Sequence, residues 1–93
     1  MNKQDIIDIL GQSLGIPIGD VSDEWQSPSV VVGESDGMPF VVTRATSKQE
    51  AKDLRDQVKA ALSEKYTIGQ GIIEFDSVEF RFWQRLTIII DKL

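Results

Sequence analysis

Residues 40–62 read FVVTRATSKQEAKDLRDQVKAAL, a short apolar strand that leads almost directly into an amphipathic helix. Ser47 and Glu50 have the spacing of a capping box, in which the hydroxyl accepts a hydrogen bond from the Glu50 N–H and the carboxylate reaches back. Apolar residues recur behind this cap at helical spacing, namely Ala51, Leu54, Val58, Ala61 and Leu62. The stretch therefore predicts a strand ending at Arg44 and a helix over residues 48–65.

The N-terminal segment predicts another helix, over residues 3–14, with a broad stripe of isoleucine and leucine. Gly15 suits the left-handed residue that follows many helices, and Pro17 prevents the helix from resuming. Residues 15–28 then predict a loop, because prolines, glycines, serines and aspartates dominate them. Loops of this length are often functional. This one carries Trp25, which either folds back onto the core or anchors a subunit interface, where tryptophan is enriched.

The middle of the chain predicts a β-hairpin over residues 29–44. Two runs rich in β-branched residues flank an Asp36-Gly37 pair, which is a strong hairpin signal. Pro39 indicates either an edge strand or the entry to a strand. After the second helix, glycines at 69 and 71 interrupt the chain, and a third strand is predicted over residues 71–76.

Residues 78–91 alternate with a period of two, which predicts a half-buried fourth strand. One face holds Val78, Phe80, Phe82, Leu86, Ile88 and Ile90, interrupted by Gln84. The pattern allows one long strand or two strands with a bend near Trp83. The order α-β-β-α-β-β predicts a single α+β domain over residues 1–93. We expect a four-stranded antiparallel or mixed sheet with two helices packed on one face.

The charge balance argues against nucleic acid and membrane partners. The formal net charge is -5, with ten basic residues among fifteen acidic ones. Binding to phosphates requires clustered lysine and arginine, so we expect neither specific nucleic-acid binding nor contact with an anionic membrane. Residues 1–5 lack the features of a signal peptide, and the apolar run Ile88–Ile90 is too short to span a bilayer. We therefore expect a soluble protein made in the cytoplasm.

The sequence offers no recognisable catalytic or metal-binding group of residues. It contains no histidine and no cysteine, which removes the commonest general base, thiolate nucleophiles and the usual zinc ligands. Glu34 and Asp36 flank a turn, and the acidic residues at 20, 23 and 24 lack the spacing of a calcium loop. Gly33 and Gly37 lie in a hairpin and form no phosphate cradle. We therefore expect no enzymatic activity, no cofactor and no metal.

Three surfaces remain as candidate interfaces. Arg81, Trp83 and Arg85 fall together on the sheet face opposite the predicted core face. That face is either simply solvated or a docking surface, because tryptophan and arginine dominate interface hot spots. The other two candidates are the hairpin with Glu34 and Asp36 and the loop with Trp25.

The strand–helix unit resembles the tail-terminator or minor capsid proteins of long-tailed bacteriophages. The similarity lies in FVVTR at 40–44, the Ser47-x-x-Glu50-Ala51 start of the helix, and the apolar positions Leu54, Val58 and Leu62. The order of the flanking elements is also similar, down to the closing run RLTIIIDKL at residues 85–93.

This resemblance implies a non-enzymatic role in virion assembly. Copies of such proteins form a ring, typically a hexamer, on the last ring of tail-tube subunits, and present a surface to the head–tail connector. The implied location is the tail or neck of the virion, after assembly in the host cytoplasm. An acidic chain suits a DNA conduit, because like charges keep the genome from adhering. Two alternatives stay open: another neck adaptor of the same architecture, and a standalone α+β domain that binds a peptide or small protein by strand addition at the edge of the hairpin.

Overall fold

A computed structural model describes residues 3–20, 29–69, 71–78 and 80–91, with only the backbone for residues 88–91. The elements in this part of the chain are α1 (Lys3–Leu14), β1 (Ile18–Asp20), β2 (Val30–Ser35), β3 (Met38–Ala45), α2 (Lys48–Leu62), β4 (Tyr66–Ile68), β5 (Glu74–Asp76) and β6 (Arg81–Asp91). The predicted interface residue Trp25 lies outside the described residues.

The strands form one mixed sheet with the neighbour order β1-β2-β3-β6-β4, and β5 also pairs with β6. β1 runs parallel to β2, and the other pairs are antiparallel. β3 pairs with one edge of β6 over Phe82–Thr87. β5 pairs with Arg81–Trp83, which overlaps this stretch, so β5 lies on the opposite edge of β6, where β4 also pairs, nearer to Asp91. The sheet is therefore five strands across. The α+β class and a mixed sheet are confirmed, whereas the predicted four-stranded sheet is not.

Both helices pack on the same face of the sheet. The buried core comprises Ile6, Leu10, Val30, Val32, Val41, Val58, Leu62, Tyr66 and Leu86. Its strand residues occupy alternate positions of β2, β3 and β6, which point to one side of a pleated sheet. We call this side the helix face and the opposite side the outer face.

The cap of α2 forms largely as the sequence predicts. The Glu50 N–H donates to the Ser47 hydroxyl at 3.1 Å. The Glu50 carboxylate, however, accepts from the N–H and hydroxyl of Thr46, at 3.3 and 2.8 Å, and so reaches one residue further back than a capping box requires. α2 ends at Leu62 rather than at 65, because Tyr66 enters the core and pairs with β6.

Two short strands were not predicted. β1 lies inside the predicted loop 15–28, and β4 begins directly after the last residue of the predicted helix 48–65. Each contains three residues, which is too few to show a period of two. Their stability depends on pairing with β2 and β6, respectively. β5 is also shorter than the predicted strand 71–76 and begins only at Glu74.

The last segment is one strand, β6, but it begins at Arg81 rather than at Val78. Val78 and Phe80 precede it in a turn and are exposed, so their predicted place on the core face is wrong. Gln84 does not interrupt the helix face either. It is fully buried there and donates a hydrogen bond to the Ala51 carbonyl oxygen.

The β2–β3 hairpin matches its sequence signal. Asp36 and Gly37 both have positive φ, 51° and 78°, as a type I′ turn requires. Pro39 lies in β3, which is a central strand, but one position before β3 begins to pair with β6 at Phe40. Of the two predicted alternatives, strand entry is therefore correct.

Candidate functional site

The outer face carries the predicted group of Arg81, Trp83 and Arg85. These residues alternate along β6 with Gln84 and Leu86, which are buried under the helices. By register, Trp83 lies between Arg44 of β3 and Glu74 of β5. The structure thus places the three predicted residues on one face.

These three residues differ in exposure. Arg81 and Trp83 are half-buried, whereas Arg85 is exposed. The Arg85 guanidinium carbon lies 4.0 Å from the ring centre of Phe40, a cation–π geometry. Val42, opposite Arg85 in the register, is buried. The outer face is therefore more enclosed than a fully solvated sheet face. Arg85 is the most exposed of the three predicted residues.

The β2–β3 hairpin does not join this group. Glu34 and Asp36 are exposed at the end of the sheet near Thr87, because Phe40 pairs with Thr87 and the turn lies beyond Phe40. Arg81 begins β6 at the opposite end. The predicted candidates therefore form at least two separate surfaces.

Sequence reasoning missed an exposed apolar surface on the β5–β6 hairpin. Its large residues are Phe75, Val78 and Phe80, which are 52%, 85% and 72% exposed, and Ile72, which precedes β5, is 80% exposed. The Phe75 ring centre lies 6.3 Å from that of Phe80 and 5.1 Å from that of Phe82. We call Glu74, Phe75, Asp76, Val78 and Phe80 the aromatic tip.

A local turn shapes the aromatic tip. The Val78 N–H donates to the Asp76 carboxylate at 2.8 Å, and Phe80 has a φ of 56°. This left-handed backbone is unfavourable for a bulky side chain. The signal in the sequence is Asp76-Ser77, because such residues favour a turn, which here continues past Val78 to Phe80.

On the solvated face of α2, the Arg55 side chain pairs with Asp56 at 3.2 Å, and a row of cations is formed by Lys48, Lys52, Arg55 and Lys59. Their spacing of four, three and four places them on one flank of the helix. Lys59 also lines a hollow of about 200 Å³ with Ser63, Tyr66, Thr67 and Ile68. Lys59 therefore lies on the side of α2 that faces the β4 edge of the sheet.

A cleft of about 510 Å³ lies between α2 and the ends of β2 and β3. Its charged lining residues are Arg44, Arg81, Glu50 and Asp53. The Glu50 carboxylate accepts hydrogen bonds from Thr46, and Asp53 accepts one from Gln49 at 3.0 Å. Both acids thus hold polar groups at the start of α2.

Among residues 3–20, 29–69, 71–78 and 80–91, no three acidic side chains lie close enough together to hold a metal ion. Neither described helix has both the length and the apolar character needed to cross a bilayer. Comparison with protein-family models, curated proteins and solved structures gives no match.

Proposed function

We propose that this chain is a non-enzymatic structural protein of a bacteriophage virion. In this proposal, copies form a ring that caps the tail tube and joins it to the head–tail connector, as in the tail terminators that the chain resembles. The observation that carries the proposal is the aromatic tip. Large exposed apolar patches commonly mark interaction sites, because their burial in an assembly removes apolar surface from water.

The size of the domain supports self-assembly. A chain of 93 residues buries a smaller fraction of its surface than a larger domain does. Among the described residues, three of the five exposed large apolar side chains, Phe75, Val78 and Phe80, lie on the β5–β6 hairpin. A ring would cover such a hairpin in every copy.

The acidic charge supports a position around a DNA channel. A net charge of -5 per copy repels the phosphate backbone and disfavours adhesion of a passing genome. Retention of linear DNA by the purified protein at physiological salt would contradict this part of the proposal.

A second candidate is a standalone domain that binds a peptide or small protein by strand addition. The predicted hairpin edge is largely covered, because β1 pairs with Val30–Val32 of β2 and β6 pairs with β3. β1 pairs only with β2 among the described residues, so its other edge offers backbone groups for a further strand. This edge is only three residues long. Strand addition alone would therefore supply few hydrogen bonds, which favours the first proposal.

The test combines mass measurement with imaging. Light scattering over a concentration series, with negative-stain microscopy, is expected to show rings of uniform size. The same protein is then added to tubes of a bacteriophage tail-tube protein, because terminators can assemble on the tail itself. We expect it to bind the tubes and limit their length. A chain that stays monomeric at about 1 mM and does not bind the tubes would overturn the proposal.

A further inference from the structure

The turn of the β2–β3 hairpin places an aspartate directly before a glycine in an open position. Asp36 is exposed, and its carboxylate makes no hydrogen bond or ion pair with another described residue. Gly37 follows without a side chain, and a Cβ at this position would meet no atom within 4 Å. The Asp36 carboxyl group and the Gly37 backbone nitrogen are therefore free of steric protection.

These two groups can react with each other. When the carboxyl is protonated, the Gly37 nitrogen can bond to Cγ of Asp36, lose its proton and expel one carboxyl oxygen as water, which closes a five-membered succinimide ring. Water then opens the ring. Addition at Cγ breaks the new bond and restores aspartate, whereas addition at the main-chain carbonyl breaks the original peptide bond and leaves isoaspartate linked through Cγ. The water lost in the first step is regained in the second, so no oxidant, reductant or enzyme is needed.

The hairpin end, residues 34–38, is held by few hydrogen bonds. Ser35 and Met38 flank the two-residue turn and form its first hydrogen-bonded pair. Bonded and non-bonded pairs alternate, so the next bonded pair lies two positions further, at Gly33 and Phe40. β6 pairs with β3 only from Phe40 onward and gives the hairpin end no further support. Loss of one bonded pair therefore frees the turn while the rest of the sheet stays intact.

The backbone of Asp36 favours this local opening. Its φ of 51° lies in the left-handed region, which is less favourable for a residue with a Cβ than for glycine. All residues of the hairpin end are exposed, so that opening breaks little apolar packing. Opening lets the bonds of Asp36 rotate, which ring closure requires.

We propose that Asp36 is a site of spontaneous isoaspartate formation in the folded protein, reached by local opening of the hairpin end. Isoaspartate adds one carbon to the main chain of the turn, so the two-residue type I′ geometry is lost. The former main-chain carboxyl becomes a free acid, so the charge stays the same. The reaction therefore reshapes the hairpin surface that carries Glu34 and Asp36 without changing its charge. It is intramolecular and occurs whether or not copies of the chain assemble.

The first test ages the folded chain at neutral pH and physiological temperature. Peptide mapping with electron-transfer fragmentation distinguishes the two isomers, which have equal mass, and a protein isoaspartate methyltransferase with labelled S-adenosylmethionine counts isoaspartate independently. Isoaspartate is expected to form at least tenfold faster at Asp36 than at Asp56. Asp56 is also exposed but precedes Gln57 within α2, where the hydrogen-bonded helix holds the backbone nitrogen.

Two variants test the chemistry at this position. Asp36→Asn keeps a residue suited to the turn, and its amide needs no protonation before ring closure, so isoaspartate is expected at least fivefold faster, with release of ammonia. Asp36→Glu keeps the charge but would need a larger ring, and it is expected to yield at least tenfold less isomerised product. Equal product from Asp36→Glu and the unsubstituted chain would overturn the assignment to this carboxyl.

A peptide of residues 33–40 measures the same reaction without the fold. The folded chain is expected to react less than a hundredfold more slowly than the peptide, because only one bonded pair has to open. A reaction slower by a hundredfold or more would mean that the turn opens only when the whole protein unfolds. That result would overturn the proposal, as would an Asp36→Asn variant that stays unmodified in the folded chain while its peptide reacts.

Discussion

The side-chain amide of Gln84 donates a hydrogen bond of 3.0 Å to the backbone carbonyl oxygen of Ala51. It links the central strand β6 to the beginning of α2 across 33 positions of the sequence, and Gln84 is completely buried. A shift of β6 by one residue would turn this amide to the outer face and place Arg85 under the helix. The bond therefore favours one register of β6 and one position of α2.

Two substitutions of Gln84 should have opposite consequences. Gln84→Ala leaves a cavity and is expected to lower the free energy of unfolding by about 2–4 kcal/mol. Gln84→Leu keeps most of the volume and removes the Oε1 atom, which has no hydrogen-bond partner. We expect it to be neutral or stabilising by up to about 1 kcal/mol. Urea denaturation measures both values, and a Gln84→Leu variant as unstable as Gln84→Ala would show that the bond matters more than the volume.

Thr43→Val should stabilise the protein. Thr43 pairs with Gln84 in the register, and its buried hydroxyl oxygen has no hydrogen-bond partner. Removal of a buried unsatisfied polar group at nearly constant volume is expected to raise the free energy of unfolding by about 1 kcal/mol. Thr87→Val, on an exposed site of the same sheet, is the control and should change stability little. A loss of stability in Thr43→Val would contradict the prediction.

Gly71→Ala should destabilise the fold, because a Cβ there would overlap the Arg85 carbonyl oxygen and lie 2.9 Å from its carbonyl carbon. Both atoms belong to the backbone of the central strand and cannot move aside easily. We expect a loss of about 2 kcal/mol or more. Gly11→Ala in α1 meets no atom within 4 Å and should instead gain about 0.5–1 kcal/mol from its better helix propensity. Thermal unfolding of the pair checks both signs.

Ser47→Ala should weaken the start of α2. The Ser47 hydroxyl accepts from the Glu50 N–H, which would otherwise lack a partner within the helix. The expected cost is about 1 kcal/mol, and Ser47→Asp should retain most of the stability, because aspartate is also a good N-cap. Ser13→Ala, at an exposed position of α1, serves as the control. Equal stability of Ser47→Ala and Ser13→Ala in urea would rule out a contribution from the cap.

Arg85 and Phe40 should be energetically coupled on the outer face. Their cation–π contact is at an accessible site, so a double-mutant cycle with Arg85→Ala and Phe40→Leu is expected to yield about 0.5–1 kcal/mol. The same cycle with Arg81 in place of Arg85 should show weaker coupling, because Phe40 pairs with Thr87, six residues away from Arg81. Zero coupling for Arg85 would mean that the two side chains do not interact in solution.

Much of the fold follows from local chemistry that the sequence displays directly. The cap at Ser47, the end of α1 at Gly15 and the Asp36-Gly37 turn each depend on a few neighbouring residues. Periodicity likewise places Arg81, Trp83 and Arg85 on one face, because alternation along a strand is a property of the backbone. The interface role of these residues, and of Glu34, Asp36 and Trp25, stays a prediction.

The candidate docking surfaces follow from contacts between residues that are distant in the chain. β1 and β4 are too short to carry a period and exist because a neighbouring strand satisfies their backbone groups. The aromatic tip arises because Asp76 turns the chain before β6 begins, so that Val78 and Phe80 point away from the core that their spacing predicted. Composition and pattern thus account for an acidic α+β domain with a capped central helix. Long-range pairing and burial determine which apolar residues remain exposed for a partner.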